Sequence, residues 1–305
     1  MLTAKLLGAL QLARPIPLTV WTLGCVLLGA AAAPRLQAGW EIPLAAVCIG
    51  GVLLQGYITH GLNDFYDWLS GTDRENPAWL SGGSHAVQSG RLEPQDVLRI
   101  AIVASAIYLA LLAGLSLSRG VDFALLGVPA LLAAIAYSLP PIRLGYRPLL
   151  GEWLGMFPTI AAGVLAAGYA ASGGFAPEIW AVAAIQGVLC GASVMQHHMS
   201  DIDLDWEAKP RKRTSPAFWQ RSVGRPGSEV AMAYSCLALV LSLAFAATIS
   251  PRFLLTAALS LAAALIARRT RVGSRPDETR RDAALKGIAL ANALGFAMFA
   301  LIGLR

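Results

Sequence analysis

The chain has 305 residues, of which 56% are apolar and only 14% charged, with a formal net charge of +6. An ordinary soluble domain carries about 25% charged residues, so this chain has too few charges to cover the surface of a soluble protein of its size. Its mean hydropathy is +0.59. Apolar runs of about 18 residues or more recur along the chain and predict an all-α, polytopic membrane protein.

The N-terminal apolar segment is predicted to be a retained span and not a signal peptide. Arg14 interrupts its apolar part, and no small-residue cleavage site precedes a soluble domain. The cysteines lie scattered in apolar spans without paired spacing, which predicts packing residues and neither disulfides nor a metal site. These cysteines are Cys25, Cys48, Cys190 and Cys236.

Hydropathy predicts nine transmembrane helices, each of about 20 residues. They are placed near 16–33, 41–61, 97–117, 121–138, 153–172, 178–198, 229–249, 253–267 and 284–303. The fourth and eighth are short for a bilayer. If the loops alternate between the two sides, one side holds only Arg35, Arg119, Arg252 and Arg305 of the 24 basic residues. By the positive-inside rule, the basic side, with the N-terminus and the long loops, is predicted to be cytoplasmic, and the C-terminus to lie outside.

The first acidic cluster follows the second predicted span, in the stretch NDFYDWLSGTD. It contains Asn63, Asp64, Asp67 and Asp73. If the helix continues beyond the apolar run, Asn63 and Asp67 lie one turn apart on the same face. The cluster therefore presents several oxygen ligands in one direction.

A second acidic cluster follows the sixth predicted span, in DIDLDWEAKPRKRT. Its Asp201 and Asp205 repeat the four-residue spacing. Grouped carboxylates repel one another, and a divalent cation removes that repulsion. Mg²⁺ is usually held by one or two carboxylates together with substrate phosphates. Two such clusters on one membrane side predict a metal-bound phosphate or diphosphate, whereas a solvated acidic helix end would explain only a single cluster.

Basic residues lie close to both clusters. We predict that Lys212, Arg213, Arg143 and Arg147 bind phosphate oxygens. The alternative is that basic loops only set the topology and meet anionic lipid, and we prefer that interpretation for the run at 268–281.

Several motifs, in order, resemble the UbiA superfamily of intramembrane prenyltransferases. NDFYDWLSGTD and DIDLDWEAKPRKRT resemble its two acidic regions, YSLPPIRLGYRPLLGE resembles its loop between the fourth and fifth helices, and ARPIPLTV resembles its Arg-Pro start of the first helix. The GTD, QSG and RLGYR segments look most like the 1,4-dihydroxy-2-naphthoate polyprenyltransferases of menaquinone synthesis. The resemblance spans most of the chain and implies one UbiA-like membrane domain, residues 1–305, built as a nine-helix bundle in the inner (cytoplasmic) membrane.

The resemblance implies Mg²⁺-dependent transfer of a polyprenyl group from an allylic diphosphate to an aromatic acceptor. Asp64, Asp67, Asp201 and Asp205 are the expected catalytic carboxylates, and with Asn63 and Asp73 they are the expected metal ligands. The expected substrate-binding residues are Asn63, Arg14, Tyr137, Arg143, Arg147, Lys212 and Arg213. Tyr137 would face the cation-like allylic carbon with its ring, or else anchor the helix at the interface. The expected partners are these two substrates and the lipid bilayer, with no nucleic acid and no obligate protein partner.

The sequence departs from the family pattern mainly beside the acceptor and phosphate regions. HHMSD, with His197 and His198, replaces an Asn-rich run, and AKPRKRT carries two extra residues. The two imidazoles either satisfy local hydrogen bonds or contact an acceptor hydroxyl. The acceptor therefore stays open: 4-hydroxybenzoate, homogentisate or a non-aromatic lipid precursor are alternatives.

Two other function classes fit the composition less well. A transporter would place charges at mid-membrane in broken helices, whereas these acidic groups follow the ends of spans on one side. A phosphatidyltransferase would concentrate its aspartates in one motif.

Overall fold

The computed structural model describes residues 2–74, 83–269 and 275–303, and it contains only helices, turns and loops over those residues. The longer helices in chain order are α1 (Leu2–Leu12), α2 (Pro15–Ala32), α3 (Glu41–Ser70), α4 (Pro94–Arg119), α5 (Asp122–Ser138), α6 (Gly151–Ser172), α7 (Pro177–Glu207), α8 (Ser228–Thr248), α9 (Phe253–Arg268) and α10 (Arg275–Leu301). Short helical segments lie in the loops at Leu144–Tyr146, Ser215–Phe218 and Trp219–Val223. The all-α, polytopic fold class is confirmed. Residues 75–82, in the loop after the second predicted span, residues 270–274, in the loop after the eighth, and residues 304–305 lie outside the described residues.

Seven of these helices are long and apolar enough to cross a membrane: α2, α3, α4, α6, α7, α8 and α10. Helices α5 and α9 have only 17 and 16 residues, in keeping with the shortness expected of both. The full count of nine spanning helices stays a prediction.

Three helices extend by two turns or more beyond their predicted ends. Helix α3 continues to Ser70 instead of ending near 61, and α7 continues to Glu207 instead of ending near 198. Both extensions carry the acidic clusters, whose polar side chains interrupted the hydropathy pattern without interrupting the helix. Helix α10 begins at Arg275 instead of near 284. Its first turns were assigned to a loop because they are strongly charged.

Helix α7 is the centre of the bundle. Of its most apolar stretch, 78% is buried inside the protein, against 22% for α4 and 28% for α8. It packs against α2, α6, α8 and α10. Large apolar side chains on the outer helices, such as Ile42 and Leu117, are 77% and 91% exposed. Such side chains suit contact with lipid, so the arrangement is that of a membrane bundle.

Wide π-helical turns occur where helices face the interior. They span Leu18–Leu23 in α2, Val52–Thr59 in α3 and Gly151–Met156 in α6. The Thr22 hydroxyl donates a hydrogen bond to the side-chain oxygen of Gln55, which joins two of them. Such turns are rare in helices and are frequent at functional sites.

The contact between α2 and α6 depends on Gly29. A Cβ atom added there would lie 2.2 Å from the carbonyl oxygen of Val164 and 2.9 Å from the Cβ of Ala167. Small residues allow membrane helices to approach closely. We expect Gly29→Ala to lower the free energy of unfolding by about 1–3 kcal/mol through overpacking, measured as a lower Tm of the purified protein in detergent.

Gly114 of α4 provides the matched control for this substitution. No atom lies within 4 Å of an added Cβ at Gly114. Gly114→Ala is therefore expected to leave Tm unchanged or raise it slightly, since alanine favours helix over glycine. Equal Tm values for the two variants would contradict the close α2–α6 contact.

Candidate active site

A cavity of about 450 Å³ lies inside the bundle and has two chemically different ends. Its polar end is lined by residues that include Arg14, Asn63, Asp67, Asp73, His197, His198, Asp201 and Lys212. Its apolar end is lined by Leu112 and Leu115 of α4 and Phe123 of α5. On α3 the lining runs from Ala46 to Asp67, which is roughly 30 Å of helix. The cavity therefore extends over about the thickness of a hydrocarbon core.

Asp67 is the most connected carboxylate of the first cluster. Its side chain is 2% exposed. Oδ1 accepts a 2.6 Å hydrogen bond from the hydroxyl of Tyr146, and Oδ2 accepts bonds of 2.8 Å from Asn63 and 2.7 Å from Lys212. Asn63 and Asp67 thus share a helix face, as their spacing indicates. Burial and the charge of Asp67 raise the pKa of Tyr146, so its hydroxyl remains a donor.

Asp64 and Asp73, the other two aspartates of the first cluster, lie together beside Gly83. Asp64 is held by an ion pair with Arg14 and by a 3.0 Å hydrogen bond from the Ser84 backbone N–H. Gly83 has φ +80°, and a Cβ there would lie 2.5 Å from Asp73 Oδ2 and 3.2 Å from Asp64 Oδ1. Glycine is therefore required both by the backbone conformation and by the oxygens beside it.

Asp73 and Arg14 perturb one another electrostatically. Burial, and then the charges of Asp67 and Asp64, raise the pKa of Asp73 well above its usual value. Burial alone would lower the pKa of Arg14, but Asp64 and Asp73 outweigh it and raise that pKa. Among the residues that the structure describes, the carboxylates at this end of the cavity thus outnumber the guanidinium of Arg14 that faces them.

The second acidic cluster does not present its two main carboxylates in the same way. A 3₁₀ turn at His198–Asp201 precedes the last helical turns of α7. The side chains of Asp201 and Asp205 nevertheless have different surroundings. Asp201 lines the cavity, whereas Asp205 is fully buried and lies behind it. Thr214 donates a 3.2 Å hydrogen bond to Asp205 Oδ2.

Lys212 joins the two acidic clusters. Its ammonium lies 2.7 Å from Asp67 Oδ2 and 3.6 Å from Asp205 Oδ1, and it lines the cavity. Burial would lower the pKa of Lys212, but the charges of Asp205 and Asp67 raise it well above its usual value. The lysine therefore stays charged and compensates two buried carboxylates at once.

The other sequence-predicted residues fall into two groups. Tyr137 lines the cavity, and its ring fills the space that Cβ atoms at Gly145 and Gly155 would occupy. Arg143 stacks on the ring of Tyr146 at 5.2 Å and does not belong to the cavity lining. Arg147 and Arg213 are exposed, and the Arg147 guanidinium donates to the Pro141 carbonyl. The structure thus brings Tyr137 into the cavity and leaves these three arginines outside its lining.

The carboxylates suit a hard cation such as Mg²⁺. Their hard oxygens are the ligands that Mg²⁺ prefers. Asp205 Oδ1 is buried without a hydrogen-bond partner, and two other carboxylate oxygens face the glycine cradle at Gly83. Within residues 2–74, 83–269 and 275–303, no three His, Cys, Asp or Glu side chains converge into a ready-made metal site. Mg²⁺ is commonly held by one or two carboxylates plus substrate phosphates, so the donors present fit that mode.

Two features of the site were missed in the sequence. Tyr146, in the loop between α5 and α6, is buried between the clusters, although its motif gave only Arg143 and Arg147 as candidates. Asp282 and Lys286 lie one turn apart in α10 and are also buried. Charged residues four apart that lead into an apolar run are the signal that could have identified them.

The comparison with family models agrees with this geometry. Residues 22–303 match the model of the UbiA prenyltransferase family. The chain belongs to the UbiA prenyltransferase family. It is therefore a prenyltransferase and a multi-pass membrane protein, and the resemblance found in its motifs is confirmed at the level of the family.

The fold of this UbiA prenyltransferase is also found in solved structures. A UbiA homolog from Archaeoglobus fulgidus bound to GPP and Mg²⁺ matches with a TM-score of 0.67 at 16% identity, over 95% of this chain and 99% of that one. The same homolog bound to DMAPP and Mg²⁺ matches with a TM-score of 0.68 at 15% identity, over 94% and 99% of the two chains. No curated protein matches the chain. These likenesses establish the fold.

Proposed function

We propose that this prenyltransferase transfers a polyprenyl group from an allylic diphosphate to an aromatic acceptor, in a reaction that requires Mg²⁺. The observation that carries the proposal is the cavity, which joins a cluster of carboxylates and cations to a long apolar channel. A substrate with a charged head and a long hydrocarbon tail matches both ends. The structures of the Archaeoglobus homolog bound to GPP or DMAPP with Mg²⁺ support the same substrate class and cofactor.

The polar end supplies the groups that a diphosphate needs. Asn63, Asp64, Asp67, Asp73, Asp201 and Asp205 are the proposed metal ligands. When bound there, Mg²⁺ would stabilise the negative charge of the departing diphosphate. Arg14 and Lys212 lie among these carboxylates and can bind further diphosphate oxygens. For Arg143, Arg147 and Arg213, which lie outside the cavity lining, we propose weaker contacts with the diphosphate near the membrane surface.

The remaining residues act on the hydrocarbon. The allylic carbon becomes cation-like as the bond to the diphosphate breaks, and the ring of Tyr137 is placed in the cavity to stabilise it. Leu112, Leu115 and Phe123 exclude water from the tail. These roles make charge stabilisation and positioning the main contributions of the protein.

The first candidate acceptor is 1,4-dihydroxy-2-naphthoate, in menaquinone synthesis, because the GTD, QSG and RLGYR segments resemble enzymes that use it. Other candidates are 4-hydroxybenzoate, homogentisate or a non-aromatic lipid precursor, since the HHMSD segment departs from the family pattern. We further propose that the protein lies in the inner membrane as a single domain, with its N-terminus and acidic loops cytoplasmic and its C-terminus outside. The distribution of basic residues supports that orientation.

The proposal is tested by incubating membranes that contain the protein with a radiolabelled polyprenyl diphosphate, 1,4-dihydroxy-2-naphthoate and Mg²⁺. We expect a prenylated naphthoquinol that disappears when EDTA removes the metal. Product formed only with 4-hydroxybenzoate or homogentisate would support the proposed reaction and show that the acceptor is not 1,4-dihydroxy-2-naphthoate. Absence of product with every aromatic acceptor, while the diphosphate still binds, would contradict an aromatic acceptor.

A further inference from the structure

A buried charged cluster outside the two acidic motifs faces the same cavity. It consists of His197 on α7, just before the 3₁₀ turn at His198–Asp201, and of Asp282 and Lys286 on α10. His197 Nδ1 lies 3.3 Å from Asp282 Oδ2, and the Lys286 ammonium donates a 2.6 Å hydrogen bond to the same oxygen. The side chains of Asp282 and Lys286 are only 4% and 5% exposed. His197 and Lys286 both line the cavity.

Charges buried within a membrane helix are costly and are typically functional. The opposite charges of Asp282 and Lys286 compensate one another, but a pair of apolar residues would fill the same space without the cost of desolvating two charges. Neither residue is needed by the proposed diphosphate site, which has its own carboxylates and cations. We therefore expect the cluster to have a function other than diphosphate binding.

The geometry of the cluster orients the imidazole. Because a carboxylate accepts from Nδ1–H, the proton of a neutral His197 is held on Nδ1, and Nε2 keeps its lone pair. A carboxylate in this position also stabilises the imidazolium that forms when Nε2 takes up a proton. His197 lies one turn before Asp201, so its ring is close to the polar end of the cavity.

The cavity wall beside the cluster can bind a planar aromatic ring. Trp21 lines the cavity next to Lys286, whose ammonium lies 5.7 Å from the centre of the indole ring. The buried indole N–H of Trp21 has no hydrogen-bond partner. An aromatic surface, a donor N–H and a cation thus lie beside a basic imidazole. That combination can hold an aromatic ring by stacking and an ionised ring oxygen by charge and hydrogen bonding.

We propose that His197 and Asp282 form a dyad that takes the hydroxyl proton of a hydroxylated aromatic acceptor, and that Lys286 stabilises the oxyanion produced. This inference rests on the proposed function and specifies the acceptor class. His197 Nε2 accepts the proton while a ring carbon forms the C–C bond to the allylic carbon. The bond from that carbon to the diphosphate oxygen breaks, and its electron pair leaves with the diphosphate. The ring C–H proton is then lost to water, and the imidazolium returns its proton to the ring oxygen.

The test compares His197→Gln with the wild-type protein in lipid vesicles, using two acceptors of the same shape. One carries an ordinary phenolic hydroxyl, and the other is its fluorinated analogue with a more acidic hydroxyl. We expect His197→Gln to lower kcat by about 10²-fold or more with the ordinary acceptor, the usual contribution of a general base. The loss should be much smaller with the fluorinated acceptor, whose hydroxyl ionises without help. The KM for the diphosphate should not change.

Asp282→Asn gives an independent second variant, and Asn292→Ala is the matched control. Asp282→Asn should show a smaller loss with the same dependence on the acceptor. Asn292 is buried on the same helix and hydrogen-bonds Gln186 of α7, but it does not line the cavity. Its replacement should have no acceptor-dependent effect.

Activity of the wild-type protein separates a failure of the proposed function from a failure of the dyad. Failure of the wild type to prenylate any hydroxylated aromatic would refute the proposed function and the dyad with it. If the wild type is active, losses in both variants that are equal for the two acceptors would overturn the dyad alone. A changed KM for the diphosphate in place of kcat would do the same.

Discussion

Replacing Asp201 by Asn, or Asp67 by Asn, is expected to lower prenyl transfer by about 10²–10³-fold or more, the range found when a single electrostatic contact to developing charge is removed. Both side chains line the polar end of the cavity. The substitutions keep the shape of each side chain and remove the negative charge that a Mg²⁺–diphosphate would need. Transfer is measured with the radiolabelled diphosphate in vesicles, at saturating acceptor.

Asp203→Asn is the matched control for this prediction. Asp203 belongs to the same short motif, but its side chain is 73% exposed and pairs with Arg221 at the surface. Its replacement should leave transfer and Tm close to wild type, since exposed ion pairs contribute little. Full Mg²⁺-dependent activity in both Asp67→Asn and Asp201→Asn would refute the assignment of these carboxylates. A folded state for each variant is checked by an unchanged elution profile in detergent.

The sequence was sufficient to place the acidic clusters but not to predict their partners. A spacing of four residues on a helix puts Asn63 and Asp67 on one face, and the 2.8 Å hydrogen bond between them shows that they do share it. The same spacing did not give Asp201 and Asp205 shared surroundings, because Asp201 lines the cavity while Asp205 is buried against Lys212 and Thr214. Local periodicity therefore predicted the helix that carries each cluster and not the direction of every side chain.

The periodicity of the sequence could not predict contacts between segments that are distant along the chain. Lys212 meets Asp67, 145 positions away along the chain, because the loop after α7 folds back onto the end of α3. Tyr146 reaches Asp67 in the same way from the loop after α5. Asp282 was assigned to the polar loop before the last predicted span, and Lys286 to the start of that span, since charged residues before an apolar run resemble a membrane boundary. Only the packing of α10 against α7 shows that they are buried beside His197.

Lys212→Met is expected to have the largest effect on stability. The substitution keeps an unbranched side chain of similar length and removes an ammonium that contacts both Asp67 and Asp205. Breaking a buried ion pair by removing one partner costs about 3–5 kcal/mol, because the remaining charge is uncompensated. We expect a lower Tm in detergent and a loss of transfer activity. Lys209→Met, three positions earlier on the exposed part of the same loop, should change neither.

A second substitution separates the electrostatic cause from simple loss of packing. In the Lys212→Met variant, the carboxylates of Asp67 and Asp205 have lost the ammonium that compensated them. Adding Asp205→Asn removes one of these two negative charges. The double variant should then be more stable than Lys212→Met alone, because contacting charges couple and their effects do not add. Additive losses of Tm would show that the lysine acts by packing and that the two acidic clusters are not joined through its charge. Recovery of Tm without recovery of transfer would instead place the ammonium in both roles: it compensates buried carboxylates in the fold and contributes positive charge at the diphosphate end of the cavity.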